Sequence, residues 1–409
     1  MQLRNERRGK LTISILSLSL LTVMAGAAVA PALDVIQTYF CDVDQLFVQM
    51  IISIPALFIV ITNMIFPKLC QKFRSRSLLM VGLLFYTVGG CIAGVFSNIG
   101  LVLASRALVG IGVGIIMPMS TGLLAFYYTR DKQDRLMGYS SAMNQMGGVI
   151  ATLLSGMLAN ISWRASFLVY LMGLISIVLC MLFLPNEYIG TKNAPEEETS
   201  NSKKASDSEK AGKGVFRQYA PFIITMFLLM CTFFVYPSSF AMETAKEGVI
   251  PMSLVAVIMA GMDLVAFVGG LAFVHIKKKF GGATKVVAPT LFLLGYLLLP
   301  FVGGWVGTLL GSACIGFANG LGIPFIISTA SQKAGRAAGT TVLPLISAAL
   351  YLAQFVTPFI LSGVRVIFGT VTAVSLPYCT AIVLAVLLVL CSLMIRTGEK
   401  PMEACRQEA

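Results

Sequence analysis

Three charged side chains stand in or at the ends of long apolar runs: Arg106, Asp263 and Asp34. Placing a charge in hydrocarbon costs about 2.5–3.5 kcal/mol on insertion scales, so each needs a reason to be there. A carboxylate such as Asp263 can bind and release a proton as its access to water alternates, or pair with a cation. At about 1.5 Å of rise per residue, it lies roughly 18 Å along its run, near the middle of a bilayer. The same carboxyl can equally link neighbouring helices, with Asn144 and Gln145 at similar depth as partners. Arg106 can hydrogen-bond free carbonyls where Gly26 and Pro31 loosen the first run. Asp34 closes that run, as a solvated end residue or as a gate and lure for cations. Asn63, Asn319 and Gln354 can bond between helices or to a substrate, at about 0.6 kcal/mol each in the first case.

Other chemistry finds little support. The sequence has one histidine, His275, which reads as an interfacial residue, and neither an HExxH nor an intramembrane GxSxG. Nine cysteines form no CxxC pair and mostly lie in apolar runs, where a free thiol acts as a small hydrophobe. Gly112-Val113-Gly114 and Gly320-Leu321-Gly322 lie in apolar stretches without the lysine of a phosphate loop. These glycines, with Gly110, suit close helix packing or hinge motion. Neither metal, cofactor nor enzymatic activity is expected.

The elements that must position these residues follow from hydropathy. A content of 57% hydrophobic and 12% charged residues is far from a soluble globular balance. Apolar runs long enough to cross a bilayer as helices cover 11–33, 46–66, 78–97, 100–126, 138–159 and 165–184. After a polar gap they resume at 219–240, 252–275, 286–304, 305–330, 340–363 and 371–395. The short alternating segments of a transmembrane barrel are absent. The first run resembles a signal peptide in its basic flank and its small residues, but it is too long for a signal core. The predicted fold is therefore an all-α membrane protein of twelve transmembrane helices in two pseudo-symmetric six-helix bundles. The domains are 1–185, a disordered cytoplasmic linker over 186–218, and 219–409.

A net charge of +12 invites a nucleic-acid reading, but its distribution answers to topology. All 30 Lys and Arg except Arg106, Arg164, Lys246 and Arg365 fall in the termini and in alternate connections. The positive-inside rule places both termini in the cytoplasm, in a plasma membrane crossed many times. No basic stripe with interleaved aromatics is present to hold nucleic acid.

The two halves share landmarks. Lys72-Phe73-Arg74-Ser75-Arg76 after the second span matches Lys279-Phe280-Gly281-Gly282-Ala283 after the eighth. The glycine pairs of the fourth and tenth spans, each followed by a proline, recur at the same separation. Two parallel six-helix halves are a known transporter construction. At these residues the chain resembles the major facilitator superfamily over essentially its full length. The turn Pro67–Arg76 aligns with that family's G-x-x-x-D-R-x-G-R-R, with Gln71 in the place of the acid. Arg106, Gly110, Gly112 and Gly114 follow its R-x-x-x-G-x-G, and Trp163-Arg164-Ala165-Ser166-Phe167 its W-R-x-x-F. Helix 5 carries Ala151-Thr152 where antiporters of the family carry Gly-Pro.

The resemblance implies a gating role for the loop bearing Gln71, Lys72, Arg74 and Arg76. It implies proton coupling, and pinning of the first helix, for Arg106. Among subfamilies the twelve-helix drug and metabolite exporters are most similar. The leading expectation is a monomeric, proton-coupled exporter of a small lipophilic or amphipathic molecule. Its partners are the substrate, protons and the lipid bilayer, with no nucleic acid. An uptake symporter or facilitator is the same-class alternative, and a non-transporting membrane sensor the alternative from another class.

Overall fold

A computed structural model supplies the architecture and describes residues 2–128, 130–186, 208–248, 250–368 and 375–394. Among these residues every regular element is helical, as apolar surroundings require: a helix satisfies its own backbone polar groups. The helices are α1 (Gln2–Ala27), α2 (Leu33–Tyr39), α3 (Gln45–Lys72), α4 (Ser75–Ile92), α5 (Ile99–Tyr127), α6 (Arg130–Ala159), α7 (Trp163–Ser166) and α8 (Met172–Phe183). They continue with α9 (Ser208–Glu247), α10 (Met252–Phe280), α11 (Thr284–Val302), α12 (Gly304–Phe368) and α13 (Leu376–Met394). Three short 3₁₀ turns cover Ala30–Ala32, Phe167–Leu171 and Gly281–Ala283.

Eleven helical segments among the described residues are long and apolar enough to cross a membrane. The remaining expected span, 138–159, is the second part of α6, where Ser140, Ser141, Asn144 and Gln145 dilute the apolar run.

Three boundaries differ from the sequence reading. The first span is not one helix ending near Asp34. It breaks after Ala27, passes through the 3₁₀ turn and resumes as α2, because Pro31 has no N–H for the Ala27 carbonyl. Asp34 consequently sits in the first turn of α2, half-buried, instead of closing the helix. The tenth and eleventh spans run together in α12, since no proline interrupts residues 325–343. Helix α9 begins at Ser208, inside the stretch assigned to the linker, whose residues 187–207 lie outside the described ones.

The chain divides into two compact units. The first holds Met1–Thr199 with Pro237–Ala260, the second Ser200–Tyr236 with Gly261–Ala409. In the first unit α5 packs on α3 and α4, and α1 on α6. The contact with α4 is close because Gly112 has no side chain: a Cβ there would come within 2.6 Å of the Gly82 carbonyl oxygen. In the second unit α12 packs on α11, and its Gly320 lies against the Ala266 carbonyl of α10. A Cβ at Gly112 or at Gly320 would thus collide with the backbone of a neighbouring helix in its own unit.

Each unit also ties off its last apolar helix with a cation. Arg76 donates to the Met181 carbonyl near the end of α8, and Lys285 to the Leu393 carbonyl near the end of α13 at 3.2 Å. Positive charge at a helix C-terminus answers its orphan carbonyls and its dipole. Leu174, Ile175, Val178 and Leu182 of α8 remain exposed, an apolar stripe suited to lipid.

Candidate functional site

Arg106 is fully buried on α5. Its Nε donates to the Ile51 carbonyl at 2.9 Å, its Nη1 to the Tyr170 hydroxyl at 2.5 Å, and its Nη2 to the Ala25 carbonyl. Tyr170 passes its own hydrogen to that same Ala25 oxygen at 2.7 Å, and the guanidinium lies 5.1 Å from its ring centre. Both acceptors have lost their usual helical partners. Pro55, four residues beyond Ile51, has no N–H to give. Val29, four residues beyond Ala25, turns its N–H to Gly26 at 3.4 Å. The arginine therefore fills two gaps in helical hydrogen bonding, one in α1 and one in α3. Tyr86, fully buried, meets Tyr170 edge-on with ring centres 5.3 Å apart.

A polar seam continues along α1. Ser19 bonds Ser120 of α5 at 2.7 Å and Ser140 of α6 at 2.6 Å, and Thr22 donates to the Asn144 carbonyl oxygen. Asn144 is thus engaged by α1, where the sequence reading offered it to Asp263. Gln145 and Asn63 are half-buried, and the Asn63 Oδ1 has no partner.

Gln49, which sequence reading passed over, is fully buried. Its amide donates to the Ser238 carbonyl (3.2 Å) and the Ser239 hydroxyl (3.3 Å), within the first unit. Near the same end Lys246 pairs with Glu243 at 2.7 Å, and Asp34 lies within electrostatic reach of Lys246.

In the second unit Asp263 is half-buried on α10 and acts electrostatically on Tyr236 of α9. Tyr236 is fully buried, and its hydroxyl is 2.7 Å from that of Ser312 on α12. Two turns further along α12, Asn319 is 8% exposed with an unpartnered Oδ1. Gln354 is half-buried on the same helix, and His275 is exposed near the end of α10. Asp263, Tyr236 and Ser312 together make a carboxyl beside two hydroxyls. Such a group can hold a proton or a hydrogen-bond donor.

Gln71, Lys72 and Arg74 are exposed in the turn between α3 and α4, while Arg76 is committed to α8. Among the described residues no cluster of His, Cys, Asp and Glu is able to hold a metal ion.

The comparisons with known proteins agree on one family. The riboflavin transporter RibZ of Clostridioides difficile (strain 630) is 22% identical over 148 residues, 36% of this chain and 32% of that protein. Multidrug resistance protein 1 of Bacillus subtilis (strain 168) is 24% identical over 276 residues, 66% of this chain and 68% of its own length. The crystal structure of a D-xylose-proton symporter superposes with a TM-score of 0.69 at 14% identity, covering 93% of this chain and 96% of that one. The family model described as Major Facilitator Superfamily matches residues 15–358, and with that match the chain belongs to this family of membrane transporters.

Proposed function

We propose that the protein moves a small lipophilic or amphipathic molecule out of the cell by alternating access, driven by protons. The observation that carries this reading is Asp263, a half-buried carboxyl on an apolar helix beside the buried Tyr236–Ser312 pair. A carboxylate at bilayer depth is costly, and exchange of its proton between two access states gives it a use. Arg106, by contrast, is spent on two backbone carbonyls and Tyr170, so its part is to pin α1 and α3. Asn319, with a free acceptor facing the same bundle, is the polar residue best suited to contact substrate. The likeness to a named multidrug resistance protein supports export of a lipophilic compound. The distribution of Lys and Arg supports cytoplasmic termini in a plasma membrane, and the protein acts as a monomer.

The test uses proteoliposomes with an imposed pH gradient and a panel of fluorescent lipophilic dyes. Asp263→Asn should abolish gradient-driven flux while purified yield and thermal stability stay at the wild-type level. Full driven transport by that variant would remove Asp263 from the coupling.

Uptake is the second reading. Gln71 replaces the acid of the family's gating loop, and Ala151-Thr152 the Gly-Pro of its antiporters. Dye movement in inverted vesicles with an acidified lumen separates the two: accumulation in exchange for protons leaving the lumen means export, and depletion in company with them means uptake.

A further inference from the structure

The turns after α3 and α10 are built alike, each within its own unit, from parts the transport reading leaves unused. In the first, Lys72 ends α3 and Ser75 begins α4; in the second, Lys279 and Phe280 end α10 and Thr284 begins α11. In both, a lysine lies over the phenylalanine that follows it. The ammonium is 5.9 Å from the Phe73 ring centre and 5.7 Å from that of Phe280. Both rings are about half exposed, 45% and 49%. The second residue of the following helix, Arg76 or Lys285, is the cation that ties off the last apolar helix as described above.

A second observation concerns the hydroxyls. Ser75 and Thr284 are each 3% exposed, and the oxygen of each has no hydrogen-bond partner. Buried hydroxyls are normally satisfied, so two unsatisfied ones at matching places need an explanation. Both stand at helix starts that no side chain caps: Arg74 precedes α4 and Ala283 precedes α11, and neither carries an acceptor. The positive end of each helix dipole therefore faces its turn. Neither turn carries a counter-charge in its own stretch of chain. The sequence holds no Asp or Glu between Asp44 and Asp131, and none between Asp263 and Glu399.

The geometry points to a phosphate-binding site in each turn, filled by the headgroup of an anionic phospholipid. A phosphate brings negative charge and several acceptor oxygens. It takes a hydrogen from the Ser75 or Thr284 hydroxyl, meets the helix N-terminus, and is neutralised by Lys72 or by Lys278 and Lys279. The lipid source follows from position. Two membrane-crossing segments, Gln45–Lys72 and Ser75–Ile92, meet at the first turn, which puts it in the headgroup layer. Exposed Phe73 and Phe280 then rest at the boundary with the acyl chains.

The experiment needs no transport substrate. Thermal unfolding of the full-length protein in neutral detergent is followed with added phosphatidylglycerol, phosphatidylcholine or inorganic phosphate. Phosphatidylglycerol should raise the Tm, phosphatidylcholine should not, and the gain should shrink in high salt. A Lys72→Gln/Lys279→Gln variant should need about tenfold more phosphatidylglycerol for half the gain, the worth of one charge-assisted bond. Ser75→Ala/Thr284→Val should keep or exceed the lipid-free Tm, because it removes two unsatisfied hydroxyls, yet lose most of the lipid effect. A lipid-free Tm that falls in this variant assigns the hydroxyls to structure and overturns their role. Equal lipid gains in wild type and both variants overturn the sites, and an equal gain from inorganic phosphate overturns the lipid assignment.

Discussion

An arginine sealed from water is tolerable only when its donors are used, and Arg106 meets that condition by serving two broken helices at once. Removing it orphans the Ile51 carbonyl and leaves the Ala25 oxygen with the Tyr170 hydroxyl alone. Arg106→Leu should lower stability by about 1–3 kcal/mol, the cost of an unsatisfied buried acceptor, read as thermal unfolding in detergent. Tyr170→Phe loses two bonds, one accepted from Arg106 and one donated to Ala25, and should cost about 1–3 kcal/mol. A sharper check uses the proline. In Pro55→Ala the new N–H reaches the Ile51 carbonyl, so Arg106→Leu should cost less in that background than in wild type. Additive costs across this double-mutant cycle would show that the proline does not create the acceptor. Arg106 and Asp263 were legible because a charge stands out against apolar neighbours. Tyr170, Tyr236 and Gln49 were not. The sequence has 12 tyrosines, and nothing in their spacing marks Tyr170 and Tyr236 among them.

Helices were easy to read and their interruptions were not, for a physical reason. Twenty apolar residues dictate a helix in lipid wherever they occur, whereas a break depends on which carbonyl finds another donor. Pro31 ends α1 and frees a stretch that continues as α2, while Pro55 and Pro67 stay inside α3. In α3 the Ile51 carbonyl finds Arg106 instead, a long-range partner invisible to local pattern. The glycines of α5 and α12 alternate between faces: Gly110 and Gly114 meet α3 and Gly112 meets α4, while Gly320 meets α10 and Gly322 meets Leu229 of α9. Their cost on substitution should follow the space each faces. Gly112→Ala pushes a methyl into the Gly82 backbone and Gly320→Ala into that of Ala266, so each should destabilise by about 1–3 kcal/mol. Gly261→Ala in α10 faces open space and should stabilise slightly through helix propensity. Equal Tm values for all three would remove close packing as the reason for the glycines.

At the scale of the whole chain, repetition is the dominant fact, and it extends beyond the motifs. The basic turn, the uncapped helix start with its hydroxyl, and the cation on the final helix occur once in each half. What does not repeat is the polar equipment: Arg106 and its carbonyls lie in the first unit, Asp263 with Tyr236 in the second. On the proposed reading, shared framework and unshared side chains suit two halves that move as bodies, with Asp263 of the second carrying the coupling proton. Which end of the molecule meets which compartment follows from charge instead, and one native thiol reports it. Cys41 is exposed in the short connection between α2 and α3, where Asp42 and Asp44 are also found and no Lys or Arg is. The charge rule puts this connection outside the cell and the basic turn Lys72–Arg76 inside. A membrane-impermeant maleimide applied to intact cells should therefore label the protein, and Cys41→Ser should abolish that labelling. Permeabilised cells should then regain signal through cysteines reached from within. Should Cys41 react only after permeabilisation, the orientation is reversed, and with it the direction assigned to every proton and substrate step.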